Sequence, residues 1–277
     1  MKLVRVSRQG RVADGIVDGD KVRTIGGWRD DAFGTFEISR RSVDEIRKSA
    51  SDSQVVDLAD VRLELPIDTR NKIICVGANY RDHVGEFAPE IPKVPALFLR
   101  HLDSLVGPQD SLVAPKASPS YDYEGEIALV IGHPGRDIAP ENALEHVLGY
   151  SCFLDGSVRA FQRHSVTAGK NFWRSGAMGP WIVTADEVRD IGALKLETRI
   201  DGEVVQSTSA DKMIFDIPTI IAYCSIWTQL NPGDVISTGT PAGVGAFRKP
   251  PRWLNLGETV EVSVSGVGVL RNKIIGQ

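Results

Sequence analysis

The sequence predicts an α+β, strand-rich fold: a small leading unit followed by a larger β-rich roll or sandwich. Three observations predict it. Short apolar runs with strand-like patterning recur along the whole chain. Gly-, Asn- and Asp-containing turns, such as Asn231-Pro232-Gly233-Asp234 and Gly266-Val267-Gly268, separate many of them. Few segments read as helix. The clearest strand is 259–264, where Val260, Val262 and Val264 alternate with Thr259, Glu261 and Ser263, the pattern of a half-buried antiparallel strand.

Taken in order, residues 1 to about 66 carry strand-like pieces at 3–6, 15–17 and 21–24 between Gly and Asp turns. One helix follows, announced by Ser42 and Glu45 as a capping box ahead of Ile46. Leu65-Pro66-Ile67-Asp68 reads as the joint, which gives a small N-terminal α+β domain at 1–68 and a second domain at 69–277. Strands are expected at 72–76, 126–131, 181–184, 195–200, 234–237 and 259–264. Two helices are expected, at 140–148, with Pro140 in the first turn and Gly149 beyond the end, and at 218–227. There is no internal repeat.

The bulk numbers exclude several classes. Hydrophobic content of 42% and charged content of 25% suit a globular protein. A net charge of −4, without Lys/Arg clusters, gives no nucleic-acid footprint. No apolar run approaches a membrane span, and the start of the chain lacks a signal-peptide pattern, so a cytoplasmic, membrane-free protein is expected. Cys75, Cys152 and Cys224 are far apart in apolar surroundings and read as reduced core thiols. Gly-x-Gly-x-x-Gly, Walker, His-Glu-x-x-His and Gly-x-Ser-x-Gly patterns are absent.

The most informative segment is Tyr121-Asp122-Tyr123-Glu124-Gly125-Glu126 with the branched run that follows. Side chains at i and i+2 of a strand share a face, so Glu124 and Glu126 point the same way. Two buried neighbouring anions raise each other's pKa unless a cation lies between them, and hard divalent metals prefer oxygen donors. The alternative is a solvated strand end. Asp155 closes the apolar run 149–155 and offers a third carboxylate, or else a helix N-cap. Arg159 and Gln162 would share a helical face with it.

Three further segments carry chemistry. In Gly77-Ala78-Asn79-Tyr80-Arg81-Asp82-His83-Val84-Gly85-Glu86, a helix would put His83 and Glu86 on one face, the arrangement of an oriented general base. The Pro-rich stretch 87–95 behind it reads as a lid. Lys170, between Gly169 and Phe172, is unlike a solvated lysine. Thr238-Gly239-Thr240, continuing to Gly245, offers hydroxyls and free N–H groups for an anion.

In this order these segments resemble the fumarylacetoacetate hydrolase family, in its bacterial acylpyruvate hydrolase and hydroxyheptadienedioate isomerase branch. The carrying residues are Gly77 to Glu86, Tyr123-Glu124-Gly125-Glu126, Asp155 with Arg159 and Gln162, Gly169-Lys170, Gly179-Pro180-Trp181, Pro232 through Gly245 and Gly266 to Asn272. The resemblance covers roughly residues 70 to 273. It implies a mixed β-sandwich roll, a homodimer, and Mg²⁺ (or Mn²⁺ or Ca²⁺) held by Glu124, Glu126 and Asp155. It implies His83, Glu86 and Lys170 as catalytic residues, on a lid in the first two cases. Tyr80, Arg81, Gln162, Gly239 and Thr240 would bind the substrate. The chain departs from the family at Arg100, where lysine is common, and around Leu154 to Arg159 and Asn171 to Met178.

The expected reaction is hydrolysis of a carbon–carbon bond in a 1,3-dicarbonyl acid, of acylpyruvate or fumarylpyruvate type, with water activated by His83 and Glu86. Decarboxylation of a 2-oxo diacid, or isomerisation of a hydroxydiene diacid, would use the same site. Phe87, Phe172 and Trp173 hint at an apolar acyl end.

Overall fold

The computed structural model describes residues 1–30, 35–50, 54–88 and 90–277. A twelve-stranded mixed sheet runs through the molecule. Its order from one edge is Gln54–Asp57, Lys21–Arg29, Arg11–Asp18, Lys2–Arg8, Gly176–Thr184, Val147–Leu154, Gly125–Ile131, Val235–Ser237, Ile73–Gly77 and Ala96–Arg100. Arg62–Glu64 joins it beside Lys2–Arg8, and Leu105–Val106 beside Gly176–Thr184. A five-stranded sheet, Glu203–Ser209, Lys195–Ile200, Thr259–Val264, Gly268–Gly276 and Leu112–Ala114, packs against it. The fold is α+β and strand-rich, as expected.

Alternation explains the second sheet. Val260, Val262 and Val264 are buried, whereas Thr259, Glu261 and Ser263 are only half-buried. Central strands of the first sheet lie between two layers and are apolar throughout. Gly125–Ile131 and Val147–Leu154 are buried at every position. One core, including Ile127, Leu129, Leu196 and Val262, fills the space between the sheets. A second joins Leu3, Ile16, Phe36 and Ile46 to Ile73, Phe153, Met178 and Val235.

The leading residues form their predicted strands, and Ser42 and Glu45 form the capping box. The Ser42 hydroxyl accepts from the Glu45 N–H, and the Glu45 carboxylate accepts from the Ser42 N–H at 2.8 Å. These strands continue the main sheet. Lys2 and Leu3 pair antiparallel with Val183 and Ile182.

The helix 218–227 is present as Ile217–Trp227, capped by Asp216. The helix expected at 140–148 is corrected. Pro140–His146 is a 3₁₀ helix, and Val147 and Leu148 open a strand instead. Val147 pairs with Ile131, and the strand then runs beside both Gly125–Ile131 and Gly176–Thr184. Two rows of sheet hydrogen bonds and full burial outweigh the local helical preference. Cys75, Cys152 and Cys224 are buried and unpaired. Among the described residues, no helix is long and apolar enough to cross a membrane.

Candidate functional site: an acidic cluster facing a histidine–glutamate pair

Sheet pairing brings the three carboxylates together. Gly125 pairs with Leu154, and the Asp155 N–H donates to the Glu124 carbonyl at 2.9 Å. Residues 31 positions apart therefore sit side by side at the same end of two adjacent strands. Carboxylate oxygens of Glu124, Glu126 and Asp155 lie within 4.8 Å of one another, all buried. Gly125 between the glutamates is dictated by packing: a Cβ there would meet Thr198 Oγ1 of the second sheet at 1.9 Å. Asp155 caps no helix; the next helix begins at Arg159.

Three cations surround the cluster. Lys170 Nζ bonds Glu124 Oε2 and, at 2.6 Å, Asp155 Oδ2. Arg159 Nη2 lies 2.5 Å from Glu124 Oε1. Arg100 donates to the other oxygen of Asp155 and to the Gly156 carbonyl at 3.1 Å, with Ser104 and Ser175 taking its remaining donors. Among the described residues, Glu126 has no cation of its own. It accepts from the Ser237 hydroxyl and from the Gly239 N–H at 3.0 Å.

The electrostatics follow from this. Burial acts to raise the Glu124 carboxyl, but Arg159 and Lys170 outweigh it and hold the group well below the usual carboxylate range. For Glu126, burial and then the charges of Asp155 and Glu124 all act upward, and its pKa rises well above 4.5. Lys170 is raised: burial opposes its charge, and Asp155 and Glu124 more than restore it. Among the described residues, Glu124 and Asp155 are paired with Lys170, Arg159 and Arg100, while Glu126 is left without an ion-pair partner beside them. Three converging buried carboxylates, crowded enough to raise Glu126, fit a hard divalent cation.

The second half of the site is the short helix Arg81–Phe87. It does form, and His83 Nδ1 lies 2.7 Å from Glu86 Oε2. Glu86 Oε1 accepts from the Gly243 N–H at 3.0 Å, which ties the helix to the glycine loop after Val235–Ser237. An ionised carboxylate has only acceptors, so Nδ1 is the donor toward Glu86, an arrangement that leaves the other ring nitrogen free to face the cavity. Phe247 and Phe87 stack at 5.7 Å beside the imidazole, 6.1 and 5.2 Å from it.

His83 and the three carboxylates line one cavity of about 970 Å³, with Lys170, Arg159, Gln162 and Thr240 also on its wall. Phe87, Phe98, Phe247 and Trp253 form an apolar part of the same wall. Thr240 Oγ1 donates to the Gly125 carbonyl at 3.0 Å and accepts from Gln206 at 2.8 Å.

Other expected site residues lie elsewhere. Arg81 is exposed and does not line the cavity, because the helix turns it away from the His83 face. Tyr80 is wholly buried outside the lining. Gly239, at φ +96°, a left-handed conformation open to glycine, spends its N–H on Glu126. It supports the acidic cluster and does not face the cavity. Phe172 packs on Phe161 at 5.0 Å, and Trp173 stacks with Arg174 at the surface, so neither supplies the apolar wall. Pro89, in the segment expected to form a lid, lies outside the described residues. Arg100, which bonds Asp155, and Asp122, which bonds Arg159, are contacts of the site not assigned from sequence. The only signal for Asp122 is its place at the start of the acidic segment.

Residues 72–275 match the fumarylacetoacetate (FAA) hydrolase C-terminal family, and residues 1–66 match the Rv2993c-like N-terminal family. The chain belongs to the fumarylacetoacetate hydrolase family. It is 38% identical over 245 residues to the mitochondrial oxaloacetate tautomerase FAHD2A of Homo sapiens, covering 87% of this chain and 76% of that protein. The structure of fumarylacetoacetate hydrolase from psychrophilic Exiguobacterium antarcticum superposes with a TM-score of 0.88 at 36% identity, covering 100% of both chains. A maleylpyruvate hydrolase from Sphingobium sp. SYK-6, in complex with manganese (II) ion and pyruvate, gives 0.82 at 29% identity, covering 100% of this chain and 99% of that one. Family members thus share this fold while catalysing different reactions.

Proposed function

We propose that this member of the family is a divalent-metal-dependent enzyme that hydrolyses the carbon–carbon bond of an acylpyruvate-type 1,3-dicarbonyl acid. The observation that carries this reading is that His83, backed by Glu86 at 2.7 Å, lines the same cavity as the three carboxylates. Mg²⁺, Mn²⁺ or Ca²⁺ held by Glu124, Glu126 and Asp155 would supply Lewis-acid polarisation of the 2-oxo acid oxygens.

The side chains do the rest. Glu86 orients His83, which takes a proton from water, and the hydroxide adds to the distal carbonyl. The bond between that carbon and C3 breaks, its electron pair passes to the pyruvate fragment as an enolate, and the imidazolium returns the proton to C3. Water plus acylpyruvate gives pyruvate plus a carboxylic acid. Lys170, kept protonated by its carboxylate neighbours, offsets the developing negative charge. Phe87, Phe247 and Trp253 exclude water from the far side of the acyl group. A homodimer is part of this proposal, and sedimentation equilibrium tests it.

The oxaloacetate tautomerase relative favours a second reading, in which His83 moves a proton between C3 and the enol without consuming water. The test follows enol absorbance of acetylpyruvate, fumarylpyruvate and oxaloacetate with Mg²⁺, Mn²⁺ or EDTA, and identifies products by NMR. Pyruvate plus the acid, lost with EDTA, is the expected result. Enol–keto exchange without cleavage would replace hydrolysis by tautomerisation, and released CO₂ would indicate decarboxylation. Turnover indifferent to EDTA would overturn the metal role.

A further inference from the structure

Asp122 touches neither the cavity nor the acidic cluster, yet it is wholly buried and its carboxylate is fully engaged. Oδ1 accepts from the Gly245 N–H at 2.8 Å, and Oδ2 accepts from the Ala246 N–H at 3.0 Å and from Arg159 Nε at 2.8 Å. The N–H of Tyr123 completes the set at 2.8 Å.

Those partners lead in two directions. Arg159 lies against Glu124 at 2.5 Å and donates to Gln162 at 2.9 Å, so one arm ends on the acidic wall. Gly245 and Ala246 belong to the 3₁₀ turn Gly245–Phe247. Two residues before that turn the Gly243 N–H holds Glu86, and its last residue, Phe247, packs beside His83. The second arm therefore ends on the histidine pair. The fit around the carboxylate is close: a Cβ at Gly245 would lie 2.6 Å from Asp122 Oδ1 and 1.8 Å from the Arg252 carbonyl.

We infer that Asp122 is a positioning residue that fixes the His83–Glu86 pair relative to the acidic wall, through the turn Gly245–Phe247 on one side and Arg159 on the other. It rests on the reading of His83 and Glu86 as the catalytic base. A buried carboxylate suits this task because it is acceptor-only and can gather several fixed N–H donors at once. Asparagine cannot. Its amide nitrogen would face either the Ala246 N–H and Arg159 Nε–H together or the Gly245 and Tyr123 N–H groups together, donor against donor, so two of the four bonds would be lost.

The test is a double-mutant cycle of Asp122→Asn with Glu86→Gln, measured as kcat and KM on acetylpyruvate and on oxaloacetate, with Mn²⁺ affinity by calorimetry. Asp122→Asn is expected to lower kcat about 10- to 100-fold, the scale of lost outer-shell partners, with KM and Mn²⁺ affinity moving less than about threefold. On the Glu86→Gln background it should add under about threefold, because both changes act on one unit. Unchanged kcat in Asp122→Asn, full additivity, or a proportional loss of Mn²⁺ affinity would each overturn the inference. Glu86→Gln with full activity would instead sink the base reading itself.

Two further measurements keep the inference testable. Should Asp122→Asn fail to fold, Ala246→Pro deletes one loop donor in a turn whose first residue is the permissive Gly245, and a fall in kcat at steady KM is again expected. Hydrogen exchange needs no substrate. Faster exchange in both 81–87 and 243–247 of Asp122→Asn, with 125–131 unchanged, supports the link, and unchanged exchange in 81–87 refutes it.

Discussion

The acidic wall and the histidine wall of the cavity are built by opposite means. Glu124, Glu126 and Asp155 stand at the ends of two strands paired along their length and buried at every position. His83 and Glu86 stand on a seven-residue helix with no side-chain cap, anchored by single hydrogen bonds such as Gly243 N–H to Glu86. The comparison teaches that charge is concentrated where backbone order is greatest. A cluster of like charges needs a frame that cannot spread to relieve repulsion, whereas a proton-transfer pair needs only one correct distance and an approach to substrate.

Four experiments would break or sharpen that contrast. The largest effect is expected from Glu126→Gln, which removes the one carboxylate without its own cation. Activity should fall to background and Mn²⁺ affinity by more than the roughly 10–100-fold of an outer-shell change, read by calorimetry. Retained affinity would show that the acidic wall is not the metal site. His83→Ala comes next. A loss of about 10²–10⁴ in kcat at constant Mn²⁺ affinity and constant melting temperature is expected for a positioned base. A joint loss of metal binding would mean that the two walls are not separable.

Gly125→Ala tests rigidity of the acidic wall. The Cβ overlaps Thr198 Oγ1, and overpacking of this kind costs about 1–3 kcal/mol, measurable by urea unfolding. A neutral result would mean that the two sheets can part at the site. The smallest effect is the pH dependence of stability without metal. Glu126 is raised above its unfolded value of 4.5, so the folded state keeps a proton that the unfolded state has lost. Its contribution therefore declines as pH rises from about 4.5 through the folded pKa. Glu124 has the opposite sign: its contribution is present above 4.5 and is lost as pH falls through its lowered folded pKa. Denaturant melts across pH 4 to 8 should show the Glu126 decline, and Glu126→Gln or added Mn²⁺ should remove it.

Much of this was legible in the sequence because it is local. Alternation gave 259–264, the Ser42–Glu45 spacing gave a helix start, and Glu-Gly-Glu before a branched run gave two carboxylates on one face. His83 and Glu86 meet because three residues make nearly one helical turn. What escaped depends on pairing across the sheet. Nothing near Arg100 announces that it will reach Asp155, and nothing near Asp122 announces the turn at Gly245. Val147 and Leu148 read as helix because their strand partners lie far away in the chain. Phe172 and Trp173 read as pocket residues because hydrophobicity alone does not tell which way a loop faces, while Phe247 and Trp253 filled that role from a segment with no periodic signal.

The pairing of Lys2 and Leu3 with Val183 and Ile182 has a consequence for how the chain tolerates shortening. On the flank of Gly176–Thr184 away from Val147–Leu154, Leu105–Val106 covers Gly176 and Ala177, and the leading residues cover Ile182 and Val183. A chain begun after residue 66 would present the unpaired N–H and C=O groups of that flank, next to the bare side chains of Ile182 and Val183, as a template for a strand of another molecule. The first 66 residues thus act as a selvage, the woven border that stops a fabric from catching on its neighbour, for a sheet whose central strands carry the acidic wall.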